Sequence, residues 1–331
     1  MIKKNFISLK RVTLSLVISI EFLIGSSLIY KYYQNKIYDS NVLGTQKVST
    51  IDSKTLDIVP SEDFKYYWQY NKDQKIEDNP DWLNKNVTYF INKNGLNDIN
   101  DYQIEKKSNV FRIITLGDSF TFGHFVNTQD NWTEQLEKQL NNNIGDCKDK
   151  SFEVINLGMP GYDVPYIVER YKELGVQYDP DLVLWLESGS GFDRSVELLQ
   201  PVIDLCSDLV DSKNKEKEDY LYCWKKAESE LKEKYNLYDI SLINMNYYDR
   251  FFSNIENSKV TIAHLYPLEK DEEDIYNLWR ERYADVDMSL LIQDLDDKET
   301  LPDGHPNESG HKRISNDFFE YLINKKNICQ K

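Results

Sequence analysis

From Phe111 onward the chain alternates short, mostly apolar runs with stretches of helical period. The runs are Arg112–Leu116, Phe152–Asn156, Leu182–Leu186, Val260–Leu265 and Met288–Gln293. Each is too short for a typical helix and too continuously apolar for a strand with one wet face. They predict parallel strands covered on both sides. Apolar residues then recur every three or four positions near Gln129–Asn143, Val164–Leu174, Lys215–Lys234, Ser241–Ile255, Glu272–Tyr283 and Ser309–Lys325, which predicts helices. Strands alternating with helices give an α/β fold, a three-layer α/β/α sandwich around a five-stranded parallel sheet. Five strands fit the flavodoxin-like order 2-1-3-4-5, with the site at their carboxyl ends. The charged stretch Asp204–Tyr238 is longer than one crossover needs. It reads as a helical insertion, either a lid over the site or a solvated excursion.

The first 106 residues follow a different pattern. Val12–Tyr30 is mainly apolar and is preceded by Lys3, Lys4, Lys10 and Arg11. At about 1.5 Å per residue such a run just spans a hydrocarbon core. It predicts one transmembrane anchor over residues 1–30, with the basic flank cytoplasmic and the rest of the chain extracytoplasmic. A cleaved signal peptide ending near Gly25-Ser26-Ser27 is the alternative. Glu21 in mid-span is expected to be protonated or paired with another helix, which leaves room for a membrane-protein partner. Residues 31–106 read as a stalk and lead-in, and residues 107–331 as the main domain. Within the lead-in, Val87–Ile91 alternates like a strand and Asn94-Gly95 marks a turn. The aromatic run Phe64–Tyr70 is expected to pin the lead-in onto the domain; a carbohydrate groove is the other reading.

Charge narrows the function. A formal net charge of −16 argues against nucleic-acid binding, which needs a basic face. The four cysteines all follow the predicted anchor, in a disulfide-permissive place. Cys206 with Cys223 and Cys147 with Cys329 are candidate pairs, and free thiols are the alternative. No Cys/His spacing suggests zinc, and no Walker or dinucleotide fingerprint is present, so neither metal nor nucleotide cofactor is expected.

Three segments carry chemistry. Gly117-Asp118-Ser119 follows the first strand and precedes a helical stretch. A serine at such a turn has its hydroxyl above the sheet edge, beside free backbone N–H groups. Taken alone, this is also an ordinary capping turn. The second strand ends in Asn156-Leu-Gly-Met-Pro-Gly161-Tyr162, where a glycine offers an unhindered N–H. Near the C-terminus stands Asp303-Gly-His305-Pro-Asn307, in which the carboxylate can reach the imidazole and the other ring nitrogen can take a proton from Ser119.

Together these segments resemble the blocks of the SGNH/GDSL hydrolase superfamily, in particular its membrane-anchored members. Gly117–Gly123 is similar to the first block, Asn156–Gly161 to the second, Pro180-Asp181-Leu-Val-Leu to the lead-in of the third, and Asp303–Asn307 to the last. The similarity covers roughly Phe111–Lys325, and Val87–Asn97 more weakly resembles the segment before the serine. The resemblance implies Ser119 as nucleophile, His305 as base, Asp303 as its acid, and the N–H groups of Ser119 and Gly161 as oxyanion donors. Two departures stand out. The third block of the family usually ends in Gly-x-Asn-Asp, whose asparagine is the third oxyanion donor. Here Glu187-Ser-Gly-Ser-Gly-Phe-Asp193 has no asparagine, and Ser188 or Ser190 is the candidate substitute. The acid usually stands three residues before the histidine; here it stands two before, as in related alginate-acetylating enzymes.

Among the other histidines, His124 is placed beside the nucleophile turn, His264 at the end of the fourth strand, and His311 in the last helix. For the first two a structural role is expected ahead of a substrate contact. The function expected is a serine esterase that hydrolyses or transfers an acyl group, acetyl above all, on a cell-surface carbohydrate. A degenerate domain that binds envelope glycan or a partner protein is the alternative, motivated by the missing asparagine.

Overall fold

The computed structural model describes residues 56–58 and 64–329, except 81, 84, 143–146, 148, 149, 212–217 and 294. The expected anchor, its basic flank and most of the stalk lie outside the described residues. Among the described residues no helix is long and apolar enough to cross a membrane.

Nine strands are described. β1 (Leu56–Ile58) pairs with β2 (Trp68–Tyr70), and β3 (Gln74–Asp78) with β4 (Val87–Ile91), both antiparallel. The main sheet is β5 (Val110–Leu116), β6 (Ser151–Asn156), β7 (Leu182–Glu187), β8 (Val260–Tyr266) and β9 (Leu291–Gln293). Its order is β6-β5-β7-β8-β9 and every pairing is parallel. Numbered by appearance in this sheet, that is 2-1-3-4-5, the flavodoxin-like order. The helices are α1 (Ser119–Phe122), α2 (Trp132–Asn142), α3 (Val164–Arg170), α4 (Ser190–Asp193), α5 (Val196–Asp211), α6 (Glu218–Lys234), α7 (Leu237–Phe252), α8 (Lys270–Arg282) and α9 (Glu308–Asn324).

The three layers follow from the two-residue period of the strands. In β7, Leu182, Leu184 and Leu186 enter one core with Trp132 and Leu136 of α2 and Phe318 of α9. Val183 and Trp185 point the other way, into a core with Tyr248 and Phe251 of α7 and Trp279 of α8. All six β7 residues are buried, which is why Leu182–Leu186 reads as an unbroken apolar run. Each such side chain contributes about 1.5–3 kcal/mol by leaving water.

The lead-in packs into the same molecule. Phe64, Tyr66, Tyr67, Trp68 and Tyr70 are buried in the core that also holds Tyr162 and Tyr166 of the second-block turn and α3. The aromatic run is therefore packing, not an open groove. Arg112 fastens the lead-in at the other end of β5. Its side chain is 1% exposed and donates to Glu153 (2.7 Å) and to the carbonyls of Gln103, Ile104 and Tyr178.

Three boundaries differ from the sequence pattern. The helical stretch expected over Asp204–Tyr238 is preceded by further helix: α5 starts at Val196, and α5 and α6 pack through Leu199, Ile203, Cys206, Cys223, Ala227 and Leu231. Pro201 inside α5 interrupts the helical signal there. The helix expected over Val164–Leu174 stops at Arg170 and continues as a π-type turn over Tyr171–Gly175. The last strand is shorter, starting at Leu291. Both candidate disulfides are formed: Cys206–Cys223 closes the α5–α6 hairpin, and Cys147–Cys329 joins the region after α2 to the end of the chain.

Candidate active site

The Gly117–Gly123 turn is built from its backbone outward. β5 ends at Leu116, and Asp118 caps α1 by accepting the Phe120 N–H at 3.0 Å. Ser119 is thus the first residue of a single-turn helix, with no carbonyl behind it to take its N–H. Gly123, at φ +84°, ends that helix. The carbonyls that α1 leaves unpaired are taken by amides from three separate segments. Asn97 of the lead-in, Asn131 before α2 and Asn156 at the end of β6 all donate to the Phe122 carbonyl, at 2.8, 2.8 and 3.4 Å.

The second-block turn lies against this one. Met159 N–H donates to the Gly117 carbonyl at 3.2 Å. Gly161 sits at φ +79°, and a Cβ there would lie 3.4 Å from the Trp68 ring. Among the described residues, no protein group accepts a hydrogen bond from the N–H of Ser119 or of Gly161. Two free N–H groups on adjoining turns are what an oxyanion hole requires.

The last-block loop completes the constellation. His305 Nε2 lies 2.9 Å from Ser119 Oγ, and His305 Nδ1 lies 2.9 Å from Asp303 Oδ2. An ionised carboxylate can only accept, so Nδ1 carries the proton and Nε2 is left to accept the serine hydroxyl. The two-residue spacing works because Gly304, at φ +91°, turns the chain. That turn lets Asp303 accept both the His305 backbone N–H, at 3.2 Å, and its ring N–H. Burial alone would raise the Asp303 carboxyl, but the hydrogen bonds and charge of His305 outweigh it and hold the group below the usual carboxylate range. Asn307 caps α9 through the N–H groups of Ser309 and Gly310, so the capping role and the positioning role coexist.

Ser188 and Ser190, the candidates for the third donor that the resemblance implies, are otherwise engaged. Ser188 donates to Asp118 Oδ2 at 2.5 Å, and the buried Ser190 donates to Glu187 Oε1 at 3.1 Å. Burial pushes Glu187 up to about 7, against hydrogen bonds from Gly191, Tyr248 and Ser190. Glu187 therefore shapes this loop from beneath.

The remaining histidines divide. His124 stands at the site: its ring stacks on Phe125 at 3.8 Å and meets His305 edge-on at 5.3 Å. Burial, with the charge of His305, pushes it down to about 3, so it is neutral. His264 is fully buried beside Phe192 and Tyr276, and burial takes it down to about 3. His311 is buried in α9, where its Nδ1 accepts the Trp132 N–H at 3.3 Å. Among the described residues no group of His, Cys, Asp or Glu side chains is arranged to hold a metal ion.

Three residues at the site carry no sequence motif. Phe125 adopts φ +67°, an unusual conformation for a bulky residue that costs about 1–3 kcal/mol. Its ring edge meets His305 at 5.3 Å, and its N–H is held by Tyr89 Oη at 2.9 Å. Trp82 meets Phe125 edge-on at 4.9 Å and is 41% exposed. Arg194 touches the Gly117–Gly123 turn at another point, with Nη1 3.2 Å from Asp118 Oδ2. Only the positive φ of Phe125 and the ring contacts reveal the first two; the isolated aromatic letters do not.

No family model matches the sequence. No curated protein matches it either. Among solved structures, three of the matches are the following. A member of the lipolytic G-D-S-L family from Veillonella parvula DSM 2008 is 13% identical, with 65% of this chain and 99% of that one covered at a TM-score of 0.36. The family 3 carbohydrate esterase of Clostridium thermocellum is 16% identical, covering 67% of this chain and 98% of that one at 0.37. A two-domain esterase active on acetylated mannans is 12% identical, covering 65% of this chain and 48% of that one at 0.37. The chemistry of the present site is read from its own side chains.

Proposed function

We propose that this protein is a serine ester hydrolase that removes or transfers an acyl group, acetyl above all, carried by a cell-surface carbohydrate. The observation that carries the reading is the unbroken chain of hydrogen bonds from Asp303 through His305 to Ser119, each step 2.9 Å. Ser119 Oγ adds to the ester carbonyl while its proton moves to His305 Nε2. The carbonyl electron pair moves onto oxygen, beside the N–H groups of Ser119 and Gly161. Collapse expels the alcohol, protonated by His305. Water, or a sugar hydroxyl in the transfer variant, then resolves the acyl-enzyme through the same base.

The sugar is supported by Trp82, an exposed indole two ring contacts from the base, by way of Phe125. An exposed aromatic face suits the apolar face of a pyranose. Trp82→Ala is expected to leave p-nitrophenyl acetate hydrolysis within about twofold and to lower kcat/KM on an acetylated oligosaccharide about tenfold, a loss of about 1.4 kcal/mol. Equal effects on both substrates would remove Trp82 from the sugar site. An extracytoplasmic, membrane-anchored placement is supported by the basic-flanked apolar run and by the two disulfides.

A fluorophosphonate probe tests the reading directly. The chain of residues 1–331 should be labelled on Ser119, and Ser119→Ala should not. Folded wild-type protein that resists labelling would support a binding domain instead. Asp303→Asn should lower kcat about 10³-fold with KM little changed, because an amide no longer fixes the Nδ1–H tautomer or offsets the imidazolium charge.

A further inference from the structure

We propose that Arg194 is a catalytic residue, the third donor of the oxyanion hole, in place of the asparagine the third block lacks. The proposal rests on the serine-esterase reading. Its starting point is that neither candidate serine has a free hydroxyl hydrogen: Ser188 gives its own to Asp118 and Ser190 to Glu187.

Arg194 is held at the junction of the two turns that bear the free N–H groups. Its Nη1 donates to Asp118 Oδ2 at 3.2 Å and to the Tyr162 carbonyl at 3.4 Å. Asp118 is the residue before Ser119, and Tyr162 is the residue after Gly161. One nitrogen therefore touches both segments from which the backbone donors come. A guanidinium has five N–H donors in a planar fork. Among the described residues no hydrogen bond engages Nε or Nη2 of Arg194.

Position and charge fit the role. The Asp118 side chain is 2% exposed while that of Arg194 is 21% exposed, so the ion pair is anchored on its buried side and open on the other. The Arg194 backbone is fixed by the Asn244 amide, which donates to its carbonyl at 3.3 Å. Trp224 of α6 lies over the guanidinium carbon at 5.8 Å. Helix α6 thus covers one part of this side chain, and a charged donor with less water around it keeps more of its effect. Asp118 offsets the charge of the fork without using its second arm. As Ser119 Oγ bonds to the ester carbon, the carbonyl π pair becomes an oxyanion. An Arg194 N–H shares that charge with the two backbone N–H groups. On collapse the C=O bond reforms and the donors are released unchanged.

The test combines kinetics with a mimic of the tetrahedral state. A small alkyl boronic acid adds to Ser119 and places an anionic oxygen where the oxyanion forms. In Arg194→Ala, kcat for p-nitrophenyl acetate should fall about 10²–10³-fold with KM within about twofold, and boronate affinity should fall by a similar factor. Arg194→Lys keeps the charge on Asp118, and so preserves folding, but has no second arm; it should still lose at least about tenfold in kcat. Added methylguanidinium should restore part of the Arg194→Ala rate. A kcat near wild type in either variant would overturn the proposal, as would lost kcat with unchanged boronate affinity. A wild-type chain with no Ser119-dependent turnover or labelling refutes the esterase reading and this proposal with it. A Ser119-dependent enzyme indifferent to Arg194 refutes only the latter.

Discussion

Ser119→Ala will bring hydrolysis of p-nitrophenyl acetate by the chain of residues 1–331 down by about 10⁴-fold or more, and His305→Ala will do nearly the same. The reason is mutual dependence. Ser119 Oγ is 2.9 Å from His305 Nε2, so neither group does its work without the other. The double variant should therefore be little worse than either single one, because the second substitution removes nothing that still functions. Residual rate above the buffer blank would come from the free N–H groups of Ser119 and Gly161, which still polarise a bound ester. The measurement is initial rate against substrate concentration for wild type, both single variants and the double variant. Two independent losses that multiply would mean that the two side chains act separately. The hydrogen-bonded pair would then not be the reacting unit.

Gly158→Ala will cost at least about 3 kcal/mol of stability. It is expected to be the most damaging single methyl group that can be added near the site. A Cβ on Gly158 would lie 2.5 Å from the Thr121 carbonyl carbon and nearer still to the Phe122 nitrogen. Both atoms belong to the backbone of α1, so no side chain can swing aside to relieve the contact. The helix must move, and it carries Ser119. Asn97, Asn131 and Asn156 hold the far end of the same helix, so movement also strains those amide contacts. Activity should fall about 10²-fold under conditions where the variant is still folded, since about 1 Å of misplacement is enough. Denaturant unfolding and kcat at matched folded fraction would check both parts. Gly304→Ala is the contrast: nothing lies within 4 Å of a Cβ there, and only its φ of +91° opposes the change, at about 1 kcal/mol. If Gly158→Ala unfolds no earlier than Gly304→Ala, close backbone approach is not what this glycine provides.

Local spacing in the sequence was enough for the sheet. Runs such as Leu182–Leu186 are apolar without a break because both faces of the sheet are covered, and only a buried parallel strand needs that. Ser119, Asp303 and His305 were legible for a similar reason. Each stands within a few residues of the glycine or carboxylate that positions it, so the geometry is written in the local letters. The same locality explains the errors. Pro201 broke the helical pattern of α5, although the helix is held from outside by Ile203 and Cys206 packing on α6.

What the sequence by itself determined is therefore the layered α/β architecture and strand order, from the pattern of its runs, and the short local segments that hold Ser119, Asp303 and His305. Tertiary structure alone decided where Arg194, Trp82 and Phe125 stand, that Ser188 turns to Asp118, and that three distant asparagines brace α1. The physical reason is range. Arg194 meets Asp118 across 76 positions, and Asn97 meets Phe122 across 25. Such contacts are set by how whole layers pack, and no local spacing in the chain encodes them.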